Sequence, residues 1–164
     1  MNENNSVNAG TYRHTQPARL IIMTMLTLAL ILSAAAWLAL KPLFAAVPIL
    51  LVSAWVFHSL TIQIASGELR WRFGPGLIRK RVALADIASA TIVRTNFLEG
   101  WGIHFSRFGW LYNVSGRDAV AITLRTGKRF ALGTDEPQAL AARLAEATQS
   151  NPLPLLRRES DRQT

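Results

Sequence analysis

Two groups of residues in this 164-residue chain have the types and spacing to do chemistry. The first is basic. Arg70 and Arg72 stand before the break Gly74-Pro75-Gly76, and Arg79, Lys80 and Arg81 follow it. In a β-hairpin Arg70 and Arg72 point away from Trp71, and Arg79 and Arg81 share one face that could join theirs. Guanidinium groups gathered in this way suit phosphate oxygens, which they meet with charge-assisted hydrogen bonds. The second group is aromatic, spread from Asn96 to Gly116 and interleaved with glycines. Glycine allows sharp turns and rings supply large apolar area with polar tips, so such a loop can grip a partner or lie at head-group level. Trp101, Phe108 and Tyr112 are the expected partner contacts. Phe105 and Trp110 read instead as plugs of a sheet interior.

Catalytic chemistry finds little to build on. His104, Glu99, Asp118, Asp135 and Glu136 lack ligand-like spacing, so no metal site is expected. Ser106 and Ser115 lack the strand-turn-helix setting of a nucleophile elbow. Gly74-Pro75-Gly76 is too short and too stiff to cradle a nucleotide. The chain has no cysteine, which excludes disulfides, thiol catalysis and thiolate metal sites. The expectation is a protein that is not an enzyme and carries no cofactor.

The elements that position these residues start with a membrane segment. From Leu20 to Leu60 the one ionised side chain is Lys41, with Pro42 directly after it. A bilayer-spanning helix needs about 20 apolar residues, so this run reads as a helical hairpin crossing twice. The helices are expected at about Leu20–Leu40 and Leu43–Leu60, the second holding Pro48. Trp37 is a candidate interface anchor, and Trp55 is equally well explained by packing toward lipid. His58 is read as an interfacial residue. Arg13 and Arg19 precede the hairpin and the basic group follows it, which places both termini in the cytoplasm by the positive-inside rule. Ser33-Ala34-Ala35-Ala36 resembles a signal-peptidase region, but the apolar run continues past it. A membrane anchor also argues against nucleic acid as the partner of the basic group.

Residues 1–19 then form a cytoplasmic N-terminal segment, 20–60 the membrane hairpin, 61–149 a folded domain and 150–164 a disordered tail. Residues 61–150 hold twelve Lys or Arg against seven Asp or Glu, a net positive charge beside anionic head groups. Leu69, Trp71 and Phe73 alternate with arginines, as a half-buried strand does. Ile78 to Leu84 is the returning strand, Leu84 to Ile87 a short turn, and Ala88 to Arg94 another strand. Val120, Ile122 and Leu124 alternate again before Thr126-Gly127-Lys128 turns the chain toward Arg129–Leu132. Thr134 or Asp135 can cap a last helix, with Pro137 in its first turn and Leu140 and Leu144 on its apolar stripe.

Several strands closed by one C-terminal helix resemble the pleckstrin-homology-like barrel. Particular stretches are similar to the small bacterial membrane proteins that carry such a domain after two membrane helices. They are Phe73-Gly74-Pro75-Gly76 with Ile78-Arg79-Lys80-Arg81, Leu84-Ala85-Asp86-Ile87, Gly100-Trp101-Gly102-Ile103, Gly109 to Gly116 and Gly133-Thr134-Asp135-Glu136-Pro137. The resemblance implies a membrane α-helical hairpin plus an α+β domain, an antiparallel barrel capped by one helix, in a bacterial inner membrane. It brings no catalytic residue. The expected function is a membrane-anchored interaction module for a protein partner or a second copy of itself, presented on Trp101, Phe108 and Tyr112. The alternative is a module that binds anionic lipid through Arg70, Arg72, Arg79, Lys80 and Arg81.

Overall fold

The computed structural model describes residues 11–38, 41–96 and 102–149. Trp101 and the expected tail from residue 150 lie outside the described residues. Strand β1 (Tyr12–Pro17) runs directly into helix α1 (Arg19–Leu38). A 3-10 turn (Lys41–Ala45) and helix α2 (Ala46–Val56) follow, and β2 (Ser59–Ala65) returns beside β1. Strands β3 (Glu68–Phe73) and β4 (Ile78–Ala83) complete an antiparallel sheet in the order β1-β2-β3-β4. A second 3-10 turn (Leu84–Asp86) leads to β5 (Ile87–Arg94). With β6 (Gly102–Ser106), β7 (Gly109–Asn113), β8 (Asp118–Leu124) and β9 (Arg129–Gly133) it forms a second sheet, ordered β5-β8-β9-β7-β6. There β7 and β9 run parallel. Helix α3 (Pro137–Gln149) comes last.

The inner faces of both sheets share one core. Leu60, Ile62 and Ile64 of β2 and Leu69, Trp71 and Phe73 of β3 meet Tyr112, Val120, Ile122, Phe130 and Leu132 from the second sheet. Leu140 and Leu144 of α3 close it and are fully buried. Thr134 caps the approach to α3, its Oγ1 accepting the Glu136 N–H at 3.1 Å. The expected α+β class holds, with two sheets and a C-terminal helix. A closed antiparallel barrel does not: among the described residues no ladder joins β4 to β5 or β1 to β6, and the second sheet is mixed.

Two expectations about the N-terminal half change. The segment before α1 is not an appendage; β1 is a full strand of the first sheet. It escapes a hydropathy reading because its one buried side chain is Gln16, whose Nε2 donates to the Ser115 carbonyl at 3.1 Å. The second helix is also shorter than expected. Pro48 supplies no N–H to the first turn, and the chain enters it through a 3-10 turn. At its other end Leu60 belongs to β2, where it is fully buried in the domain core. Among the described residues one helix, α1, is long and apolar enough to cross a membrane, and α2 is a shorter apolar helix.

The two helices pack on each other, and their buried residues include Ala29 and Ala36 on α1 and Ala54 on α2. Small side chains let helix backbones approach closely. Thr24, Ser33 and Ser53 donate their hydroxyls to the carbonyls of Leu20, Ala29 and Ile49, so none presents an unpaired donor to an apolar surrounding. The sheet end of the domain is equally close-fitting. Asn113 is fully buried, accepts the Ser115 N–H and donates to the Gly116 carbonyl. A Cβ at Gly133 would collide with the Asn113 side chain. Gly133→Ala is therefore expected to expel Asn113 and lower stability by about 1–3 kcal/mol, measured as a fall in the unfolding temperature of the detergent-solubilised chain.

Candidate functional site

The register of the first sheet brings four of the five basic residues onto one face. Arg70 stands directly opposite Arg81, and Arg72 directly opposite Arg79. The rows continue across β2 and β1: Gln63 lies beside Arg70 and Arg13 beside Gln63, while Thr61 lies beside Arg72 and Thr15 beside Thr61. The fifth basic residue, Lys80, is in register with Trp71 and alternates to the other face. The arginine face is a shallow concavity of about 790 Å³, with Thr61 and Gln63 in its lining and Trp71 and Lys80 also contributing to it.

Like charges directly opposite on neighbouring strands destabilise a sheet by up to about 1 kcal/mol. The two rows meet this cost differently. Glu68 pairs with both arginines of the outer row, at 2.7 Å from Arg70 and 3.7 Å from Arg81. Among the described residues no carboxylate pairs with Arg72 or Arg79. Glu68 thus offsets the facing arginines of the outer row, which continues to Arg13 on β1, whereas the facing pair Arg72 and Arg79 has no such partner.

The turn between β3 and β4 fixes that row in space. The Gly74 N–H donates to the Ser59 carbonyl at 2.8 Å and the Gly76 N–H to Phe73 at 2.7 Å. Gly74 has φ +41°, and a Cβ there would lie 2.5 Å from the Val56 carbonyl oxygen. His58 Nδ1 is 2.7 Å from the Trp55 carbonyl oxygen at the same junction. Only glycine lets the turn sit this close to the end of α2. Leu77, at the tip, is 68% exposed.

The aromatic residues are partitioned almost opposite to expectation. Tyr112, expected as a partner contact, is buried at 8% exposure, 5.3 Å from the Trp71 ring and 6.4 Å from Phe73. Burial raises its phenol pKa. It is a core residue. Phe108 is partly buried over Leu111, Ala119 and Ala131, on a second small cluster, with the Arg107 guanidinium 4.7 Å from its ring. Phe105 and Trp110, expected as plugs, are 75% and 51% exposed and meet edge to face at 6.2 Å. Trp110 and Tyr112 share a face of β7. The difference is that Trp71 and Phe73 cover Tyr112, whereas Trp110 faces Phe105 across the β6–β7 hairpin. The sequence carries the alternation but not how far the opposite sheet extends.

A second polar cluster, not anticipated, ties β1 to the start of α3. His14 Nε2 lies 2.5 Å from Asp135 and its Nδ1 3.3 Å from Glu136. Tyr12 stacks against His14, and burial, with the charges of Glu136 and Asp135, pushes its phenol up to about 12. Among the described residues no three His, Asp or Glu side chains gather as metal ligands.

No family model matches this chain, and no curated protein matches it in sequence. The partition of the rings has a direct consequence for stability. Tyr112→Ala is expected to cost about 3–5 kcal/mol and Trp110→Ala no more than about 1 kcal/mol. Thermal or denaturant unfolding of the two variants checks this, and the reverse order would show that the rings are assigned to the wrong faces.

Proposed function

We propose that this chain is a membrane-anchored binding module without catalytic activity, which holds a pleckstrin-homology-like domain against the cytoplasmic face of a bacterial inner membrane. The observation that carries the reading is where the helices are rooted. Pro17, before α1, is paired with Ser59, after α2, and the Ala18 N–H donates to the His58 carbonyl at 2.8 Å. The chain thus leaves the sheet and returns to the same place.

Lengths support two crossings. The 20 residues of α1 rise about 30 Å. The return path, five residues of 3-10 turn and eleven of α2, covers roughly 27 Å. Both match a hydrocarbon core of about 30 Å. Lys41 is then the lone charge at the far tip, and the arginines gather at the root. By the positive-inside rule the root is cytoplasmic.

Two crossings confine the domain to a thin layer, so weak contacts suffice for occupancy. The exposed chemistry of that domain is its arginine face, which favours negative charge at the membrane surface as the thing bound. A protein partner or second copy has the exposed Phe105–Trp110 pair as its apolar contact instead.

The absence of cysteine makes the topology directly testable. In intact cells, Lys41→Cys is expected to react with a membrane-impermeant maleimide from outside, and Thr126→Cys only after permeabilisation. Labelling of both positions from the same side would contradict the two-crossing anchor.

A further inference from the structure

Resting on the reading of a charge-binding domain at the membrane surface, we infer that the inner row, Arg72 and Arg79, is a seat for the phosphate of anionic phospholipids in the same bilayer. The outer row, Arg70 and Arg81, plays a minor part. Three observations separate the rows.

The first is charge. Glu68, two residues before Arg70 on the same strand, pairs with Arg70 and Arg81, while Arg72 and Arg79 have no described carboxylate partner. Two guanidinium groups directly opposite one another can surround one tetrahedral phosphate with charge-assisted hydrogen bonds.

The second is depth. Arg72 is two residues before Gly74, which rests on the carbonyls that end α2. Two residues of strand span at most about 7 Å. The head-group layer beyond the hydrocarbon is about 5–8 Å thick on each side. The inner row therefore falls at phosphate level. The outer row stands about 7 Å further along the strands, a total distance at which salt has screened much of the surface field.

The third is an apolar foot beside the basic pair. Leu77 is exposed at the tip of the same turn, beyond the inner row, and Trp55, 57% exposed, is near the end of α2, where Gly74 of that turn approaches its carbonyl. A basic pair flanked by exposed apolar side chains fits an interface whose phosphates lie just outside its acyl chains. It fits a soluble polyanion less well, because that would gain nothing from Leu77. A lipid with a terminal phosphomonoester carries more charge and more free oxygens than a phosphodiester, so it is the preferred head group.

The test uses the full chain in neutral detergent, with native mass spectrometry counting retained lipids. Dioleoyl phosphatidic acid, phosphatidylglycerol and phosphatidylcholine are the probes. Retention is expected to fall in that order. Arg72→Gln with Arg79→Gln should reduce retention of both anionic lipids by at least about tenfold, and Arg70→Gln with Arg81→Gln by less than about threefold. The two double variants remove equal charge, so each controls for the other, and matched unfolding temperatures establish that both are folded. Equal losses in the two doubles, or no preference over phosphatidylcholine, would overturn the inference. The variant lacking all four arginines separates the levels. If it loses anionic lipid while the inner-row double does not, the charged face stands and the inner seat falls. If it retains anionic lipid fully, the charged face itself is wrong.

Discussion

The structure depends on one clasp, the pairing of β1 with β2 at the root of the helices. Register Pro17–Ser59 and the bond from the Ala18 N–H to the His58 carbonyl hold together two points of the chain that are separated by both helices. The joint is buried as well as hydrogen-bonded. Ala18 and Ile21, the residues at which the strand becomes α1, belong to the core of the sheet domain, and Met25 packs against it. On the other side Phe57 meets Phe73 at 5.4 Å, edge to face. A helix pair whose roots share a core with a sheet cannot swivel freely on a linker. The domain is held at a set height over whatever the helices enter.

That height gives the arginine face its meaning. A sheet that places arginines directly opposite each other on two rows accepts an unfavourable interaction in its free state. One row relieves it internally through Glu68, and the other does not. An anion offers the same relief from outside. The opposite side of the same strands shows the contrast: Trp71 stacks on Phe130 at 4.9 Å and contacts Tyr112, so the alternation in β3 yields an aromatic core on one side and a charged surface on the other.

Much of this pattern was legible in the sequence, and the failures have physical causes. Arginines at 70 and 72 alternating with Leu69, Trp71 and Phe73 specify a two-sided strand, and Gly74-Pro75-Gly76 specifies its turn. Their joining with Arg79 and Arg81 follows from register. Strand β1 was illegible because Tyr12, His14 and Gln16 face inward in place of aliphatic residues, and His14 and Gln16 are held by polar contacts with residues about a hundred positions away. The end of α2 was misplaced because an apolar run does not distinguish a lipid-facing helix from a strand buried in a core. Leu60 and Ile62 belong to the latter. Tyr112 and Trp110 were exchanged for a related reason: alternation assigns a face, but burial depends on what covers it.

The clasp itself can be measured most directly by cross-linking, since the chain has no cysteine of its own. Arg13→Cys and Gln63→Cys, in direct register on β1 and β2, are predicted to form a disulfide readily under mild oxidation of the full chain. Arg13→Cys with Arg70→Cys, one strand further away, is predicted not to. Failure of the first pair, or equal yield from both, would mean that β1 does not close the root of the helix pair, and the account of how the domain is held would be wrong.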